Sequence, residues 1–573
     1  MTETTDAAAD QPGVPAALVE RARSERWAER LMARDPSLWS SDPEVQETIA
    51  QRLGWLDAPN HFEEQIGTLE AFGEAIRETG FRTAIVAGMG GSSLAPEVLK
   101  KTFGDGGDWV ELRVLDSTDP AAVAAAVDDI YPLETLFIVA SKSGTTAEPL
   151  AFQADAWARI RTALDARHAH QETPGDFMVA ITDPNPSLEA IPHHDELREV
   201  FINPPDVGGR YSALTYVGLV PASLIGVDLD PLLGSARLML DRCHAKDPQA
   251  NPGVHLGLTL GAYAIAGRDK LTFVADPEIA SFGSWAEQLI AESTGKHGVG
   301  IVPVDLEPLG PAAAYGPDRI FVRLTLTDSA GPAPASDGTY ADALLAALEA
   351  AGHPVIRIAI DDPIDIAGEF VRWEVATAIA GIVLGIDPFD QPNVEEAKSG
   401  TRAVLEAIEH GHEIEPGVAG PAPLQADDPG LAAALRVQLA SLKPNGYAAL
   451  QAYVAPSADR DAALARIRAV LRDRTGRATT AGYGPRFLHS TGQLHKGGAP
   501  IGWFLQLTAD HPVDRPIPGK PYTFGQLIDA QAAGDLSVLR AHDLPVVRIH
   551  LGPDPDAGLA ALERALSAAV EEA

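Results

Sequence analysis

A short loop rich in hydroxyl side chains is the most distinctive chemical feature of the sequence. The segment Ser141-Lys-Ser-Gly-Thr-Thr146 follows an apolar, β-branched run at residues 136–140 and precedes a helical stretch at residues 147–160. Hydroxyls and free amides at the start of a helix can bind a phosphate dianion with few formal positive charges. The alternative is helix capping, but a cap needs only one such side chain. The loop therefore favours phosphate binding.

A glycine-rich turn occupies the corresponding place after an earlier apolar run. Residues 83–87 lead into Gly88-Met-Gly-Gly-Ser-Ser93, and a helical pattern follows at residues 94–103. Glycine lets the backbone approach a ligand, although many such turns are only tight turns. The G-x-G-x-x-G spacing of dinucleotide sites is missing, and no acidic residue stands at the expected distance. A dinucleotide cofactor is therefore not predicted.

Two segments carry residues suited to proton transfer and charge stabilisation. Arg210, within Val207-Gly-Gly-Arg-Tyr-Ser212, could direct its guanidinium toward a developing oxyanion, and an ordinary surface ion pair is an equally good interpretation. Gln288 and Glu292 lie four residues apart, on one face of a helix that should stop at Gly295. Taken alone, Glu292 is better explained as an exposed glutamate than as a general base.

A further pair of polar residues lies in Phe389-Asp-Gln-Pro-Asn-Val-Glu-Glu-Ala-Lys398. Gln391 and Lys398 are seven residues apart and would face the same way if a helix begins at Asn393. On pattern alone, both are better explained as surface residues.

The overall composition limits the classes of partner. The chain of 573 residues has 80 Asp and Glu against 44 Lys and Arg, which gives a formal net charge of −36 at pH 7. This balance argues against binding to nucleic acid or to an anionic membrane. The single cysteine, Cys243, has no partner for an internal disulfide. The polar N-terminus is no signal peptide, and no apolar run is long enough to span a membrane, so a cytoplasmic protein is predicted.

The hydrophobic pattern predicts an α/β protein with doubly wound, parallel sheets. Short apolar runs separated by helical stretches are typical of parallel strands covered by helices on both faces. Two similar segments, Pro354-Val-Ile-Arg-Ile and Pro545-Val-Val-Arg-Ile, indicate either an internal repeat or chance. The predicted division is a disordered tail (1–13), an N-terminal helical segment (14–80), a first α/β domain (81–232), a second α/β domain (233–412) and an additional C-terminal α/β domain (413–573).

Taken together and in this order, the motifs resemble those of the phosphoglucose isomerase family. The matching segments are G-x-G-G-S at 88–92, S-K-[ST]-x-T-T at 141–146, V-G-G-R-[YF]-S at 207–212, E-S-x-G-K at 292–296 and F-D-Q-x-x-V-E-x-x-K at 389–398. The resemblance implies two sugar-isomerase (SIS) domains with flavodoxin-like sheets. The stretch around Trp27 and the segment at residues 484–498 resemble the isomerase half of bacterial proteins fused to transaldolase, which suggests a functional link to transaldolase; no transaldolase half is present.

The resemblance also implies roles for individual residues. It assigns the phosphate to four hydroxyls of the 141–146 loop, a proton shuttle between C2 and C1 to Glu292, stabilisation of a cis-enediol to Arg210, and help with ring opening to Lys398. The expected substrate-binding residues are Gly91, Ser92, Ser141, Lys142, Ser143, Thr145, Thr146, Gln288 and Gln391. No metal and no cofactor are predicted, because a carboxylate base and a guanidinium suffice for this chemistry.

One histidine of the family pattern is out of place. Family members take a ring-opening histidine from a neighbouring subunit, in H-S-x-x-Q surroundings between the Glu292 and Lys398 motifs. In this chain such surroundings occur after Lys398, at Leu488-His-Ser-Thr-Gly-Gln-Leu-His495. His489 is therefore the candidate, with His495 as a fallback, and an unrelated loop histidine is the alternative.

The resulting hypothesis is a glucose-6-phosphate isomerase of glycolysis and gluconeogenesis. The alternatives are a non-catalytic SIS-domain sensor of sugar phosphates, or an isomerase acting on another anionic hexose. A homodimer is the first expectation for the oligomeric state. The additional C-terminal domain might instead complete the pocket within one chain.

Overall fold

The computed structural model describes residues 13–104, 106–169, 171–410 and 422–571. Except for Gly13, the predicted disordered tail lies outside the described residues. Within the described part of the chain, no helix has both the length and the apolar character needed to cross a membrane.

The N-terminal segment is helical, as predicted, and it supports one of the site loops. Trp55 is buried and stacks on Tyr211, with ring centroids 5.1 Å apart. The backbone amide of Gly54 donates to the carbonyl of Asp206 at 3.0 Å, so the segment packs directly against the Arg210 loop. The α-helices of this segment are Ala16–Ser24, Trp27–Met32, Pro43–Ala50, Ala58–His61 and Ile66–Thr79.

The first sheet consists of five parallel strands in the order β2-β1-β3-β4-β5. This is the flavodoxin-like order, and it confirms the predicted fold class. Strands β1, β3 and β4 are buried along their whole length because helices cover both faces. The strands are Thr83–Gly88 (β1), Glu111–Leu115 (β2), Thr135–Ala140 (β3), Met178–Thr182 (β4) and Glu199–Ile202 (β5), with helices Gly91–Phe103, Pro120–Val127 and Ala147–Arg167.

The second sheet has four parallel strands in the order β7-β6-β8-β9. Its strands are Lys270–Ala275 (β6), Val302–Val304 (β7), Arg319–Leu326 (β8) and Val355–Ile360 (β9). Helices Tyr216–Leu224, Leu229–Cys243 and Pro252–Ile265 precede this sheet. Two helices lie between its strands, Phe282–Thr294 and Ala341–Ala350. Two more follow β9, Ile366–Leu384 and Val394–Glu409.

The third sheet is formed by the C-terminal segment, in the order β10-β14-β13-β11-β12. The apolar runs of this segment predict three strands, at residues 447–454, 502–508 and 545–551, which correspond to β11, β13 and β14, whereas β10 and β12 are not predicted. The short β10 and the Thr-rich β12 lie at the two edges and lack a clear apolar pattern. The strands are Leu424–Gln425 (β10), Tyr447–Tyr453 (β11), Ala478–Tyr483 (β12), Gly502–Thr508 (β13) and Val546–His550 (β14), with helices Leu431–Leu439, Ala458–Thr475, Gly492–Gly497, Phe524–Ala541 and Pro555–Glu571.

The second and third sheets share a topology, which gives the two similar Pro-containing segments a structural meaning. Strands β12-β11-β13-β14 follow the same order as β7-β6-β8-β9. The carbonyl of Pro354 accepts from the amide of Phe321 on β8, and that of Pro545 accepts from Phe504 on β13, each at 2.9 Å. The two segments thus enter β9 and β14, the corresponding strands of the two sheets, in the same register, which favours an internal repeat over chance.

Buried polar contacts join the second and third sheets. The guanidinium of Arg319 pairs with Glu307 at 2.9 Å, and the amide of Thr479 on β12 donates to the same carboxylate at 2.8 Å. The hydrogen bond from Thr479 to the charged Glu307 joins the two units, and a hydrogen bond to a charged group contributes about 1.5–3 kcal/mol. The C-terminal unit is therefore held firmly enough to contribute residues to a site shared with the others.

Candidate active site

The glycine-rich turn after β1 lies where the first sheet, the helix Phe282–Thr294 and the C-terminal unit meet. Gly90 has a φ of 57°, and a Cβ there would lie 2.6 Å from Nε2 of Gln288. A Cβ at Gly91 would overlap the carbonyl oxygen of Gly209. Glycine is therefore required here because three chain segments approach one another at this turn.

The hydroxyl-rich loop connects β3 to the helix Ala147–Arg167, as predicted. The hydroxyl of Ser141 donates to that of Thr146 at 3.0 Å, and the hydroxyls of Ser143 and Thr145 are 2.9 Å apart. Ser141 is buried, whereas Ser143 and Thr145 are exposed. The four hydroxyls thus form two adjacent pairs at a helix start, an arrangement suited to binding an oxyanion.

Lys142, in the same loop, is held by neighbouring loops of the first domain. Its ammonium forms an ion pair with Asp183 and donates to the carbonyl of Pro205 at 3.2 Å. Burial raises the pKa of Asp183, against the attraction of the Lys142 charge. The position of Lys142 is therefore fixed from two sides.

Glu292 and Gln288 share one face of the helix Phe282–Thr294, which stops before Gly295 as predicted. The residue Glu292 is only 9% exposed. Nε2 of Gln288 donates to Oε2 of Glu292 at 3.1 Å and to the backbone carbonyl of His489 at 2.8 Å. The surface interpretation of Glu292 is thus wrong: its carboxylate is buried and oriented by hydrogen bonds.

The guanidinium of Arg210 is buried at the same place and uses its donors on several acceptors. Its Nη1 lies 3.3 Å from Oε1 of Glu292 and donates to Oε1 of Gln391 at 3.0 Å. Nε donates to the hydroxyl of Ser293 at 2.8 Å. Nη2 donates to the carbonyls of Pro388 and Asp390 at 2.7 and 2.9 Å. Arg210 is therefore not an ordinary surface ion pair.

The Gln391 loop is fixed by a buried lysine that sequence reasoning did not single out. Lys296 pairs with Asp390 at 2.6 Å and also donates to the carbonyl of Asp387. Burial and the charge of Arg210 lower the pKa of Lys296 to about 8, against the attraction of Asp390. Gln391 precedes the helix Val394–Glu409, so it does not share a helical face with Lys398.

His489 reaches this region from the C-terminal unit of the same chain. Its Nε2 lies 3.1 Å from Oε1 of Glu148, and Nε2 of Gln531 donates to that same oxygen at 2.7 Å. The hydroxyl of Thr118 donates to Oε1 of Gln531 at 2.6 Å. These contacts form a chain of hydrogen bonds that ends at the imidazole of His489.

The surroundings of Glu148 determine the pKa of its carboxyl group. Burial raises its pKa, but the charge and hydrogen bond of His489 outweigh burial, and the charge of Lys398 acts in the same direction. The net pKa is lowered, so the carboxylate stays ionised near neutral pH. Lys398 is exposed and lies within electrostatic range of this carboxylate.

The fallback histidine, His495, lies in an apolar environment. It is buried, its Nδ1 is 3.3 Å from Nε2 of Gln451, and its ring packs against Phe487 and Phe504. Burial and the charge of Lys496 hold its pKa well below the usual value. A neutral histidine packed in this way is a core residue rather than a participant in the site.

Sequence reasoning missed Glu148 and Gln531. Glu148 stands two residues after the hydroxyl-rich loop, so its place in the first helical turn was a usable signal. Gln531 lies within an ordinary amphipathic helix, Phe524–Ala541, and carried no such signal.

Comparison with known proteins agrees with this geometry. The family described as Phosphoglucose isomerase matches residues 27–303. The glucose-6-phosphate isomerase of Rubrobacter xylanophilus is 29% identical over 395 residues, covering 61% of this chain and 88% of that protein. The probable glucose-6-phosphate isomerase of Haloarcula marismortui is 30% identical over 360 residues, covering 56% of this chain and 78% of that protein.

Solved structures show the same fold. A hypothetical protein from Thermus thermophilus matches with a TM-score of 0.55 at 26% identity. The match covers 68% of this chain and 97% of that chain. The glucose-6-phosphate isomerase of Chlamydia trachomatis matches with a TM-score of 0.53 at 18% identity. The match covers 74% of this chain and 88% of that chain.

The parallel α/β sheets, with a buried carboxylate, a guanidinium and a hydroxyl-rich loop at their junction, define a protein of the sugar isomerase class. Within that class the chain belongs to the phosphoglucose isomerase family.

Proposed function

We propose that this protein is a glucose-6-phosphate isomerase, which interconverts glucose 6-phosphate and fructose 6-phosphate. The observation that carries the proposal is the buried carboxylate of Glu292, oriented by Arg210 at 3.3 Å and by Gln288 at 3.1 Å. A buried, ionisable carboxylate next to a guanidinium is suited to moving a proton beside a carbonyl group. Membership of the phosphoglucose isomerase family supports the same chemistry.

The proposed reaction begins with opening of the sugar ring by His489 and Lys398. Glu292 then removes the proton from C2 of the open-chain aldose. The electrons of that bond form the C1–C2 double bond, and the carbonyl electrons move to O1, which gives the cis-enediol intermediate in its anionic form. Arg210 stabilises the negative charge that develops on the oxygens. Glu292 returns the proton to C1 while the proton of the C2 hydroxyl passes to O1, which yields the ketose without any net gain or loss of electrons or protons.

Binding at the far end of the substrate keeps the reacting carbons in place. We assign the phosphate to the hydroxyls of Ser141, Ser143, Thr145 and Thr146, which suits an acidic protein because few positive charges are needed. The sugar is bound by Lys142, Gln288, Gln391 and the backbone at Gly91 and Ser92. Binding energy from the phosphate lowers the entropic barrier of the proton transfer.

A direct assay tests the proposal. We expect conversion of glucose 6-phosphate to fructose 6-phosphate with kcat in the range of about 1–10³ s⁻¹, followed through a coupled dehydrogenase. Mannose 6-phosphate and other anionic hexoses are assayed beside it. Faster conversion of one of these would identify another substrate, and binding of sugar phosphates without turnover of any of them would indicate a sensor.

The hydrogen-bond chain to His489 supplies a second prediction. Gln531→Leu removes the donor to Glu148 while keeping a similar volume, so the imidazole is less well oriented. We expect kcat for glucose 6-phosphate to fall by about five- to tenfold with little change in KM, as for the loss of one hydrogen bond. Steady-state kinetics and a pH profile of kcat are the measurements.

The matched control for this prediction is Gln438→Leu, which makes the same change at an exposed position of the helix Leu431–Leu439. It should leave both constants unchanged. If Gln531→Leu had the kinetics and the pH profile of Gln438→Leu, Gln531 would have no positioning role.

Three further statements belong to the proposal: a homodimer, a functional link to transaldolase and a cytoplasmic location. Because His489 reaches the site from its own chain, we expect turnover per subunit to be the same in a monomer as in a dimer. Light scattering after gel filtration gives the mass. A specific activity that fell on dilution, in parallel with dissociation, would contradict this expectation.

A further inference from the structure

A second cleft lies outside the candidate active site. Its volume is about 630 Å³, and all three α/β units contribute to its walls. None of the residues proposed to bind the substrate or to act in catalysis lines it. The 3-10 helix Arg486–His489 separates the two, because Arg486 and Phe487 line the cleft whereas His489 faces Glu148.

Most of the charged groups on the cleft walls are already compensated. Arg486 pairs with Glu97 and lies 3.3 Å from Asp116, and Lys101 pairs with Glu97 at 2.6 Å. The hydroxyl of Tyr483 donates to Asp461 at 2.6 Å.

The third cation of the walls, Arg468, is directed at neutral acceptors. Its guanidinium donates to the backbone carbonyls of Asp305, Leu306 and Thr479 at 2.7–3.0 Å. Five carboxyl groups thus face only three cations. Glu287, Asp305 and Asp461 form no ion pair with these cations, and Asp305 and Asp461 each accept a hydrogen bond from a hydroxyl.

The carboxyl group of Glu287 is the wall group whose contacts most clearly indicate a site for a bound cation. Its carboxyl forms no hydrogen bond or ion pair with any residue that the structure describes, although it lines a partly enclosed cleft. Burial and the nearby Asp305 raise the pKa of Glu287 to about 8, against the charges of Arg468 and Arg486. Burial raises the pKa of Asp305 to about 6, although Ser284 donates to it and Arg468 is near. Both carboxyls would be stabilised as anions by an incoming positive charge.

We propose that this cleft is a binding site for a compact organic cation with an ammonium group beside Glu287 and Asp305. The apolar part of the walls, which includes Leu94, Val114 and Phe487, suits an aliphatic stem. An anionic ligand would face two excess carboxyl groups, and a neutral ligand would not stabilise them in their ionised form. The inference is independent of the proposed isomerase activity, because it uses none of the residues of that site.

Calorimetric titration with 1,4-diaminobutane tests the proposal on the full-length protein. We expect one diamine per chain and release of a fraction of one proton at pH 7, when the carboxyl of Glu287 ionises and its proton passes to the buffer. Titrations in two buffers of different ionisation enthalpy measure that proton. Affinity should rise between pH 6.5 and 8.5, because Glu287 is protonated at the lower pH while both amines stay charged.

Variants separate this site from general attraction to a protein of net charge −36. Glu287→Gln should weaken diamine binding by about tenfold or more, because it removes the charge at constant volume. Ala465→Trp, on the cleft wall, should abolish binding by filling the space. The matched control Glu47→Gln removes an exposed carboxylate elsewhere and should bind the diamine as the unchanged protein does.

Uncharged 1,4-butanediol and dianionic succinate, of similar length, should not bind. Equal binding of either would show that the cleft selects for something other than positive charge. Diamine binding that survives in folded Ala465→Trp, or that is lost equally in Glu47→Gln, would show that the cations bind to the surface and would overturn the proposal. Circular dichroism establishes that each variant is folded.

Discussion

Glu292→Gln should reduce the turnover of glucose 6-phosphate by about 10²–10⁴-fold, the range that a positioned general base contributes. The amide keeps the volume of the side chain and can still accept a hydrogen bond from Arg210 or Gln288. It cannot remove a proton from carbon. We therefore expect binding of a sugar phosphate to change by no more than about threefold, because the phosphate loop is untouched.

Two measurements separate the binding of the sugar phosphate from the transfer of the proton. Calorimetry with a hexitol 6-phosphate, which has no carbonyl group and is not turned over, gives binding alone. Reaction in heavy water should introduce deuterium at the carbon that Glu292 reprotonates, and partial uptake is enough because the proton can return before it exchanges.

The control for Glu292 is Glu287→Gln, the same substitution on the same helix but facing the second cleft. It should retain turnover within about twofold of the unchanged protein, because it removes no group that touches the substrate. If Glu292→Gln kept near-normal turnover, another group would be the base. If it lost binding in parallel with turnover, Glu292 would be a substrate-binding residue instead.

Much of the fold was predictable because parallel strands must be apolar to be buried on both faces. The run at residues 502–508 coincides with β13, and the run at 136–140 is extended by one residue in β3. The prediction failed at β12, whose Thr479 and Thr480 are buried and polar. The amide and hydroxyl of Thr479 bind Glu307 of the second unit, so its polarity serves a contact between sheets rather than a loop.

The site was predictable as far as its residues belong to contiguous motifs. Helical spacing placed Gln288 and Glu292 on one face, and the structure adds that this face is buried against Arg210. Spacing could not reveal that burial, because the segments that cover the helix, the Arg210 loop and the segment around His489, are distant in the sequence. This is why the surface interpretation of Glu292 was preferred on pattern alone.

His489 shows most clearly how much of the site the sequence alone can predict. The surroundings of His489 identified it as a candidate, and its contact with Glu148 at 3.1 Å now gives the imidazole a defined orientation. Gln531 orients that carboxylate from a third part of the chain and had no local signal. A contact made by distant segments depends on how the units dock, and one sequence contains little information about docking.

Arg210→Lys should lower kcat/KM for glucose 6-phosphate by about 10²–10³-fold, the effect of removing a donor from a site of developing negative charge. A lysine keeps the positive charge but presents its donors from a single nitrogen. Arg210 is 4% exposed and supplies Ser293, Gln391 and two backbone carbonyls in addition to Glu292. At least two of these acceptors would lose their partner, and the contacts to Ser293 and Pro388 are fully buried.

The same substitution should therefore lower the free energy of unfolding by about 2–4 kcal/mol, because a buried unsatisfied acceptor costs about 1–3 kcal/mol. Denaturant titration measures this loss, and kinetics well below the unfolding transition keep it apart from catalysis. Arg161→Lys, at an exposed position of the helix Ala147–Arg167, is the matched control and should change neither quantity. A variant at position 210 that lost stability but kept kcat/KM would show that this guanidinium only holds the Gln391 loop. Loss of both would support a role in stabilising the enediol, since lysine preserves the charge but not the geometry of the guanidinium.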